Sequence, residues 1–316
     1  MTRPLSILPA LALLLLAACA SKPSTPPPEK VFRGDPRSPS AFRGDGTSAT
    51  WDQLASAAAD ADVVIVGENH GHAFGLASAA ALWEDVLGRC PDAALALEFF
   101  ERDDQSRLDD YLAGIIDDAT FRKVTRRTAG SYPGGHHAMV ELAKARHRPV
   151  IAANAPRQYV RLASKSGFDA MEKLNDRQKA NFRVPDELPT GKYREDFDKV
   201  MGGMGGHGGA DPSKKDEAPD PEKARAALDG AFRSQSVWDW TMGESIAMGL
   251  DEGNRPVVQV VGRFHGDFGG GLVQAIRKIR PSTKILVVSF VDAPAAALRD
   301  EDRDRGDFVL YVGEDE

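Results

Sequence analysis

Short apolar runs alternate along this chain with longer segments in which apolar residues recur at helical spacing. The first run, Val63-Val64-Ile65-Val66, is β-branched, continuous and brief, which is typical of a strand buried on both faces. Similar runs follow at 93–100, 149–154, 256–261, 284–291 and 308–312, and we expect the last to be an edge strand. Because strands alternate with helices, the pattern predicts an α/β fold with a mostly parallel β-sheet flanked by helices.

The helical segments carry recognisable end signals. Thr50, with Gln53 three residues later, fits a capping box that opens a helix over 51–58. Apolar spacing and glycine stops predict further helices at 104–112, 117–127, 136–146 and from 157 to about 167.

The composition changes after the third strand. Residues 169–235 are polar and contain no strand candidate, residues 201–210 are glycine-rich, and residues 211–221 are charged. Residues 224–249 indicate either two helices or one bent helix. We therefore predict that the domain, 31–316, carries a helical cap insertion at about 169–249 over the carboxyl end of the sheet, with a flexible loop at 201–221.

The amino terminus predicts export and anchoring. Leu5–Leu16 is an apolar segment too short to span a bilayer, and Leu16-Ala17-Ala18-Cys19 resembles a bacterial lipobox. Residues 1–18 are accordingly a predicted lipoprotein signal peptide, Cys19 the lipidated residue and 19–30 a Pro/Ser-rich tether. Several acyl chains anchor a protein stably. Since Ala20 and not an aspartate follows the cysteine, we expect anchoring at the outer membrane, facing the periplasm.

Charge bears on the class of partner. The 316 residues carry a net charge of −7. The one clear basic cluster is formed by Arg122, Lys123, Arg126 and Arg127, without the interleaved aromatics of a nucleic-acid surface. Nucleic acid is therefore not an expected partner.

Chemistry-bearing side chains follow three of the predicted strands. Glu68 and His70 come after the first, Glu98 ends the second, and His265 follows the strand at 256–261. The carboxyl ends of parallel strands share one sheet edge, where ligands bind in open α/β sheets. Two carboxylates and two imidazoles suit a divalent metal or a general acid–base set. Taken singly, each histidine could be a turn residue and each glutamate a helix cap; His72 is a weaker candidate.

An ordered set of short motifs resembles the ChaN-like haem-binding lipoproteins, within the wider TIKI and erythromycin-esterase superfamily. The set comprises Gly67-Glu68-x-His70, Glu98-Phe99-Phe100, Gln105…Leu108…Tyr111-Leu112-x-Gly114, Ala153-Asn154-x-Pro156-Arg157, Trp238-Asp239 with Met242, and Gly262-x-x-His265. It extends from about Trp51 to Val291. The resemblance implies an α/β fold with a helical cap, and haem bound between cap and sheet or between two subunits of a homodimer.

The resemblance also implies roles for particular residues. Superfamily enzymes use the Gly-x-x-His and Glu positions in metal-dependent or general-base hydrolysis, which makes Glu68, His70, Glu98 and His265 the implied active-site and metal set. An axial haem ligand is expected to be tyrosine or histidine, and the candidates nearest in sequence are Tyr132, His136 and His137. Gly71 departs from the family pattern, in which an acidic residue commonly follows the histidine.

Two functional hypotheses remain from the sequence. The first is a lipid-anchored envelope protein that binds haem for iron or haem uptake, with an outer-membrane haem or iron receptor as partner. The second is a metal-dependent hydrolase that uses the same four residues. A purely structural envelope protein is disfavoured, because charged groups at buried strand ends lose hydration free energy.

Overall fold

Eight strands form one sheet in the computed structural model, which describes residues 30–128, 130–204 and 220–314. In chain order they are β1 (Ser40–Arg43), β2 (Ser48–Ala49), β3 (Val63–Glu68), β4 (Ala94–Glu101), β5 (Val150–Asn154), β6 (Val257–Gly262), β7 (Ile285–Val291) and β8 (Phe308–Tyr311). Their order across the sheet is β2-β1-β8-β7-β3-β6-β4-β5. The strands from β8 to β5 run parallel, whereas β1 is antiparallel to both β8 and β2.

Helices cover both faces of this sheet. In chain order they are α1 (Trp51–Ala59), α2 (Ala73–Arg89), α3 (Gln105–Leu112), α4 (Asp118–Val124), α5 (Gly134–Ala145), α6 (Arg157–Ser166), α7 (Phe168–Glu172), α8 (Asp176–Lys179), α9 (Lys192–Met204), α10 (Pro221–Asp251) and α11 (Gly271–Ile279). The predicted α/β class with a mostly parallel sheet is therefore confirmed.

Strand β3 shows why both sheet faces are covered. Successive side chains of a strand point to opposite faces, and those of β3 are apolar on both. Val64 and Val66 pack into the cluster that contains Trp83 of α2. Val63 and Ile65 pack into the second cluster, formed largely with α10 and α11. A strand buried on both sides needs a continuous apolar run, which is the pattern seen in the sequence.

The sheet order gathers the candidate residues at one edge. Strand β6 lies between β3 and β4, although it follows them by more than a hundred residues in the chain. In the register of β3 and β6, Glu68 lies beside Gly262. The carboxyl ends of β3, β4 and β6 are consequently neighbours, and the turns that follow them share one end of the sheet.

Most of the predicted elements are present, with one correction at the edge. The capping box of α1 forms in both directions between Thr50 and Gln53. Strand β8, however, is not an edge strand, because β1 pairs with it over Phe308–Tyr311 and β2 extends the sheet further. Strand β1 comes from a segment before the first buried run, and the Gly44-Asp45 turn follows it directly.

Helix α10 settles the choice between two helices and one. It is a single helix of 31 residues, roughly 46 Å long at the usual rise per residue. Its first part contacts α6 and α9, while Met242, Ile246 and Leu250 in its last part pack on the sheet. One helix therefore joins the predicted cap region to the layer that covers the sheet.

Several sequence predictions lie at or beyond the limits of the described residues. Helix α9 continues to Met204, so residues 201–204 are helical and not part of a loop. The rest of the predicted loop up to 219 lies outside the described residues, as do the signal peptide, Cys19 and the tether up to 29. Within the described ranges, no helix combines the length and the apolar character needed to cross a membrane.

Candidate functional site

A buried carboxylate and an exposed imidazole form a pair at the end of β3. The Nδ1 atom of His70 donates to Oε1 of Glu68 across 2.6 Å. The Glu68 side chain is fully buried, whereas 56% of the His70 side chain is exposed. The other ring nitrogen of His70, Nε2, has no hydrogen-bond partner among the described residues. The pair therefore fixes the ring through one nitrogen and leaves the other accessible.

The pKa of both groups is raised, but for different reasons. Burial raises the pKa of the Glu68 carboxyl, because the charged form is poorly solvated in the interior, although the bond from His70 opposes this. The hydrogen bond to Glu68 raises the pKa of His70 to about 9, against 6.5 ordinarily. At neutral pH the unliganded imidazole is thus mostly protonated.

A second histidine lies behind this pair. His136 of α5 is fully buried, and neither of its ring nitrogens has a hydrogen-bond partner among the described residues. Its Nε2 lies 3.7 Å from Oε1 of Glu68, and its ring packs against that of Phe99 with centroids 4.1 Å apart. Burial lowers the pKa of His136 to about 3, so its imidazole is neutral.

The end of β6 carries a different acid–imidazole pair. His265 donates from Nδ1 to Oδ1 of Asp239 over 2.6 Å, and only 8% of its side chain is exposed. Tyr193 of α9 donates its hydroxyl proton to Oδ2 of the same carboxylate at 2.7 Å. Asp239 projects from α10, so the cap region and the sheet end are joined by these bonds.

Burial and pairing act in opposite directions on His265. Burial by itself would lower the pKa of the imidazole, but the Asp239 carboxylate outweighs it and raises that pKa. Burial also raises the pKa of the Asp239 carboxyl, an effect that His265 and Tyr193 oppose, so each charge of the pair depends on the other to offset its desolvation.

Glu98 lies between the two pairs. Its Oε2 accepts the backbone N–H of Gly262 at 2.7 Å, and its Oε1 is 3.7 Å from Nε2 of His265. A side chain on Gly262 would bring a Cβ to 3.1 Å from Nε2 of His70 and 3.6 Å from Oε2 of Glu98. The four strand-end residues therefore do meet at one sheet edge, around Gly262.

These residues are not arranged as ligands of one ion. Among the described residues, no group of three or more His, Cys, Asp or Glu side chains is positioned to hold a metal ion. Each imidazole is instead bonded to its own carboxylate, His70 to Glu68 and His265 to Asp239. The predicted metal site thus finds no support in this geometry.

A cleft of about 340 Å³ opens beside His70. Its aromatic lining is provided by Phe99 and Trp238, both half-buried, and its basic lining by Arg127 and Arg157. The cleft thus combines flat apolar surfaces, cationic groups and an accessible imidazole. Such a lining suits a ligand that has both apolar and anionic parts.

The histidines and the tyrosine suggested as haem ligands occupy different surroundings. Tyr132 is 1% exposed and packs among core aromatics, and its hydroxyl has no partner among the described residues. His136 lies inside, behind Phe99. His137 is half-buried beside Asp118. His72 caps α2, accepting from Gly75 and donating to the carbonyl of Gly313, which is a structural role.

Three further residues belong to the site: Asp239, Tyr193 and Arg157. Asp239 and Arg157 stand in the motifs that carry the family resemblance, but the sequence assigned them no role, and Tyr193 was not singled out. A second signal was the position of Asp239 on the buried face of α10, where a carboxylate needs a partner. Nothing in the sequence pairs Tyr193 with it, since the two residues are far apart in the chain.

The sequence and the fold were compared with those of known proteins. The sequence pattern of the family described as "Haem-binding uptake, Tiki superfamily, ChaN" matches residues 54–276. None of the curated proteins matches the chain significantly.

Among solved structures, one described as "Cofacial heme binding to ChaN of Campylobacter jejuni" superposes with a TM-score of 0.61 at 17% identity, over 84% of this chain and 92% of that one. An erythromycin esterase mutant in its open conformation gives a TM-score of 0.43 at 12% identity, over 82% of this chain and 78% of that one. The first likeness shows a common fold. The match of the family pattern over most of the chain shows that this protein belongs to the ChaN haem-binding family of the Tiki superfamily.

Proposed function

We propose that this protein binds haem in the cleft beside His70, where the Nε2 atom of His70 would hold the iron. The observation that carries the proposal is the asymmetry of the imidazole: one nitrogen is held by a buried carboxylate, and the other is accessible at the cleft. Family membership supports haem as the ligand class.

The Glu68–His70 pair has the form expected of a metal-ligating histidine. Such histidines usually donate their second N–H to a carboxylate or carbonyl, which fixes the ring and increases the basicity of the ligating nitrogen. Glu68 does this from a fully buried position, so the ring orientation is set by the end of β3 itself. When bound, the iron of haem would supply the Lewis acid for Nε2.

The cleft walls suit the rest of a porphyrin. Phe99 and Trp238 offer apolar surface for the macrocycle, and the basic groups of Arg127 and Arg157 suit its carboxylates. The cleft is open, so a second surface is needed to cover the ligand completely. A second copy of this chain, forming a homodimer, is the partner we propose for that surface.

The cellular setting follows from the amino-terminal sequence. We propose that Cys19 is acylated and that the protein is held at the outer membrane, where it hands haem on or takes it up together with an envelope receptor. The support is the order of apolar segment, small residues and cysteine in Leu5–Cys19. Cys19→Ser should abolish acylation and membrane partitioning, and a variant that is still cleaved and still partitions normally would refute the anchor.

The haem proposal is tested by titrating the purified protein with haem and recording the absorption spectrum. We expect near-stoichiometric binding and a Soret band shifted from that of free haem, because a protein ligand changes the electronic state of the iron. A spectrum identical to free haem in excess protein would refute the proposal. The stoichiometry of haem binding is measured at a high protein concentration and again after dilution, which would dissociate a dimer. A change between the two would show that a second copy completes the site.

The second candidate function is hydrolysis, and one observation favours it. The Asp239–His265 pair directs Nε2 of the imidazole towards Glu98, which is a general acid–base arrangement. Turnover of a panel of aryl esters by the haem-free protein should then be abolished in Glu98→Gln. Activity that survives a chelator would assign the chemistry to these side chains, and activity lost with the chelator would support a metal. Equal rates for both proteins would refute the hydrolase.

A further inference from the structure

We infer that Arg157 selects the ligand of the cleft by pairing with a carboxylate at its rim, so that the site favours porphyrins that carry free carboxylates. This inference rests on the proposed haem function and names the group that recognises the periphery of the ligand. The evidence is the contrast between the two arginines that line the cleft beside His70.

Arg127 is already engaged. Its guanidinium donates to Oδ2 of Asp104 at 2.6 Å and lies over the ring of Phe100, 5.3 Å from the centroid. The ion pair is mostly buried, with 14% of each side chain exposed. Arg127 therefore brings little uncompensated charge to the cleft, and its geometry is fixed by contacts inside the protein.

Arg157 is exposed and has an uncommitted guanidinium. Only its backbone N–H is bonded, to Oε1 of Glu101 at 3.2 Å. Among the described residues, its side chain has neither a hydrogen bond nor an ion pair. It begins α6 after Pro156, so its Cα is held in a regular helix. The cleft thus presents one free planar donor on a fixed support.

A neighbouring carboxylate, that of Glu101, restricts where the acid group of a ligand can lie. Glu101 lines the same cleft, and its Oε1 accepts the backbone N–H of Arg157. A ligand carboxylate placed against Glu101 would be repelled, whereas one placed on Arg157 gains a charge-assisted, bidentate bond. The position of the acid group on the ligand is therefore restricted to the Arg157 side.

A single ligand class satisfies all three features. It needs a metal for Nε2 of His70, a flat apolar body for Phe99 and Trp238, and a carboxylate for Arg157. A metalloporphyrin with propionate groups has all of them. A small free anion would satisfy Arg157 alone, so the experiment must separate these two sources of the carboxylate.

The test is a cycle of two ligands and two proteins. Haem and haem dimethyl ester, whose carboxylates are blocked, are titrated into the wild type and Arg157→Ala at pH 7.5. Arg161→Ala is the matched control, because Arg161 is an exposed arginine four residues later on the same helix. We expect Arg157→Ala to weaken haem binding about tenfold, as for loss of a bond between charged groups, and to leave the ester unchanged.

The outcomes distinguish the two proposals. Equal weakening of haem and ester, or no weakening of haem, would overturn the role of Arg157 while haem binding stands. Wild-type protein that leaves the spectrum of free haem unchanged would overturn the proposed function itself. Arg157→Lys should recover part of the difference, since lysine restores the charge without the planar fork. Competition by succinate at concentrations near those of haem would show that Arg157 binds small anions in general and would also overturn the selection.

Discussion

The two strand ends that carry a Gly-x-x-His sequence differ in the side of the protein that receives the imidazole. After β3, His70 lies in a turn with 56% of its side chain exposed. After β6, a short 3₁₀ turn over Arg263–His265 directs the second imidazole inward, where 8% is exposed. The same four-residue spacing thus gives one accessible imidazole and one internal ion pair.

The partner carboxylates explain this difference. His70 is bonded to a residue of its own strand, Glu68, which is two positions away. His265 is bonded to Asp239 of α10, so this contact forms only when the long helix packs over the sheet end. The local Glu68–His70 pair leaves its imidazole at the surface. The Asp239–His265 pair is buried between α10 and the end of β6, so it also holds the helix against the sheet.

The largest effect is expected from breaking the internal pair. Asp239→Ala removes the carboxylate that offsets the buried imidazolium and leaves the hydroxyl of Tyr193 without its acceptor. Loss of one member of a buried pair lowers the free energy of unfolding by about 3–5 kcal/mol. Urea unfolding followed by circular dichroism would measure this, with the exposed Asp251→Ala on the same helix as control. A change below ~1 kcal/mol would mean that the pair contributes little to folding.

The accessible pair should show the opposite profile. His70→Ala should weaken haem binding by at least a hundredfold through loss of the iron-binding nitrogen. It should lower the free energy of unfolding by less than Asp239→Ala does, because burial raises the pKa of the Glu68 carboxyl, which can take up a proton when its partner is removed. Haem titration followed at the Soret band provides the measurement. The control is His137→Ala, which removes a half-buried imidazole on α5. A shifted Soret band that persists in His70→Ala and disappears in His137→Ala would reverse the assignment.

Sequence reasoning could reach the meeting of these residues but not their accessibility. Glu68, Glu98 and His265 follow buried runs, and parallel pairing places such strand ends together, so their convergence was predictable. Exposure depends on how α10 packs, and that packing involves residues far away in the chain. Nor could the sequence predict that the guanidinium of Arg157 is unpaired among the described residues, because this can be recognised only once the neighbouring side chains have been placed.

The same reasoning explains why the haem-ligand candidates changed. Tyr132, His136 and His137 were chosen for their residue type within a loop and the start of a helix. In the structure, Tyr132 packs against Phe100 and His136 against Phe99, since aromatic rings beside a glycine-rich turn fill the core under α5. Residue type indicated ligand chemistry, but only the packing shows which ring is accessible.

The pH dependence of haem binding should reflect the Glu68–His70 pair and not the Asp239–His265 pair. The pKa of His70 is raised to about 9 by Glu68, so below that pH a proton occupies the nitrogen that would bind iron. Haem affinity should therefore rise about tenfold per pH unit from pH 6.5 and level off above pH 9. In Glu68→Gln the levelling should move down towards the ordinary value of 6.5.

Titrations at a series of pH values, with exposed Glu187→Gln as control, would measure this shift. The internal pair predicts no comparable slope, because His265 is not accessible to the ligand. A profile in Glu68→Gln that is identical to the wild type would show that the Glu68 bond does not set the protonation of the ligating nitrogen.

The smallest effect concerns the glycine that both pairs share. Gly262 has an ordinary φ of −53°, so alanine is compatible with its backbone. The added Cβ would lie 3.1 Å from Nε2 of His70, closer than nearly all such contacts, and 3.6 Å from Oε2 of Glu98. Because the exposed ring of His70 can turn aside, we expect Gly262→Ala to fold normally and to weaken haem binding about three- to fivefold, under ~1 kcal/mol. Gly88→Ala on α2 is the matched control, since its Cβ would meet nothing within 4 Å. A Gly262→Ala variant that is less stable but binds haem normally would show that the added Cβ disturbs Glu98 and the Asp239–His265 pair and does not affect His70.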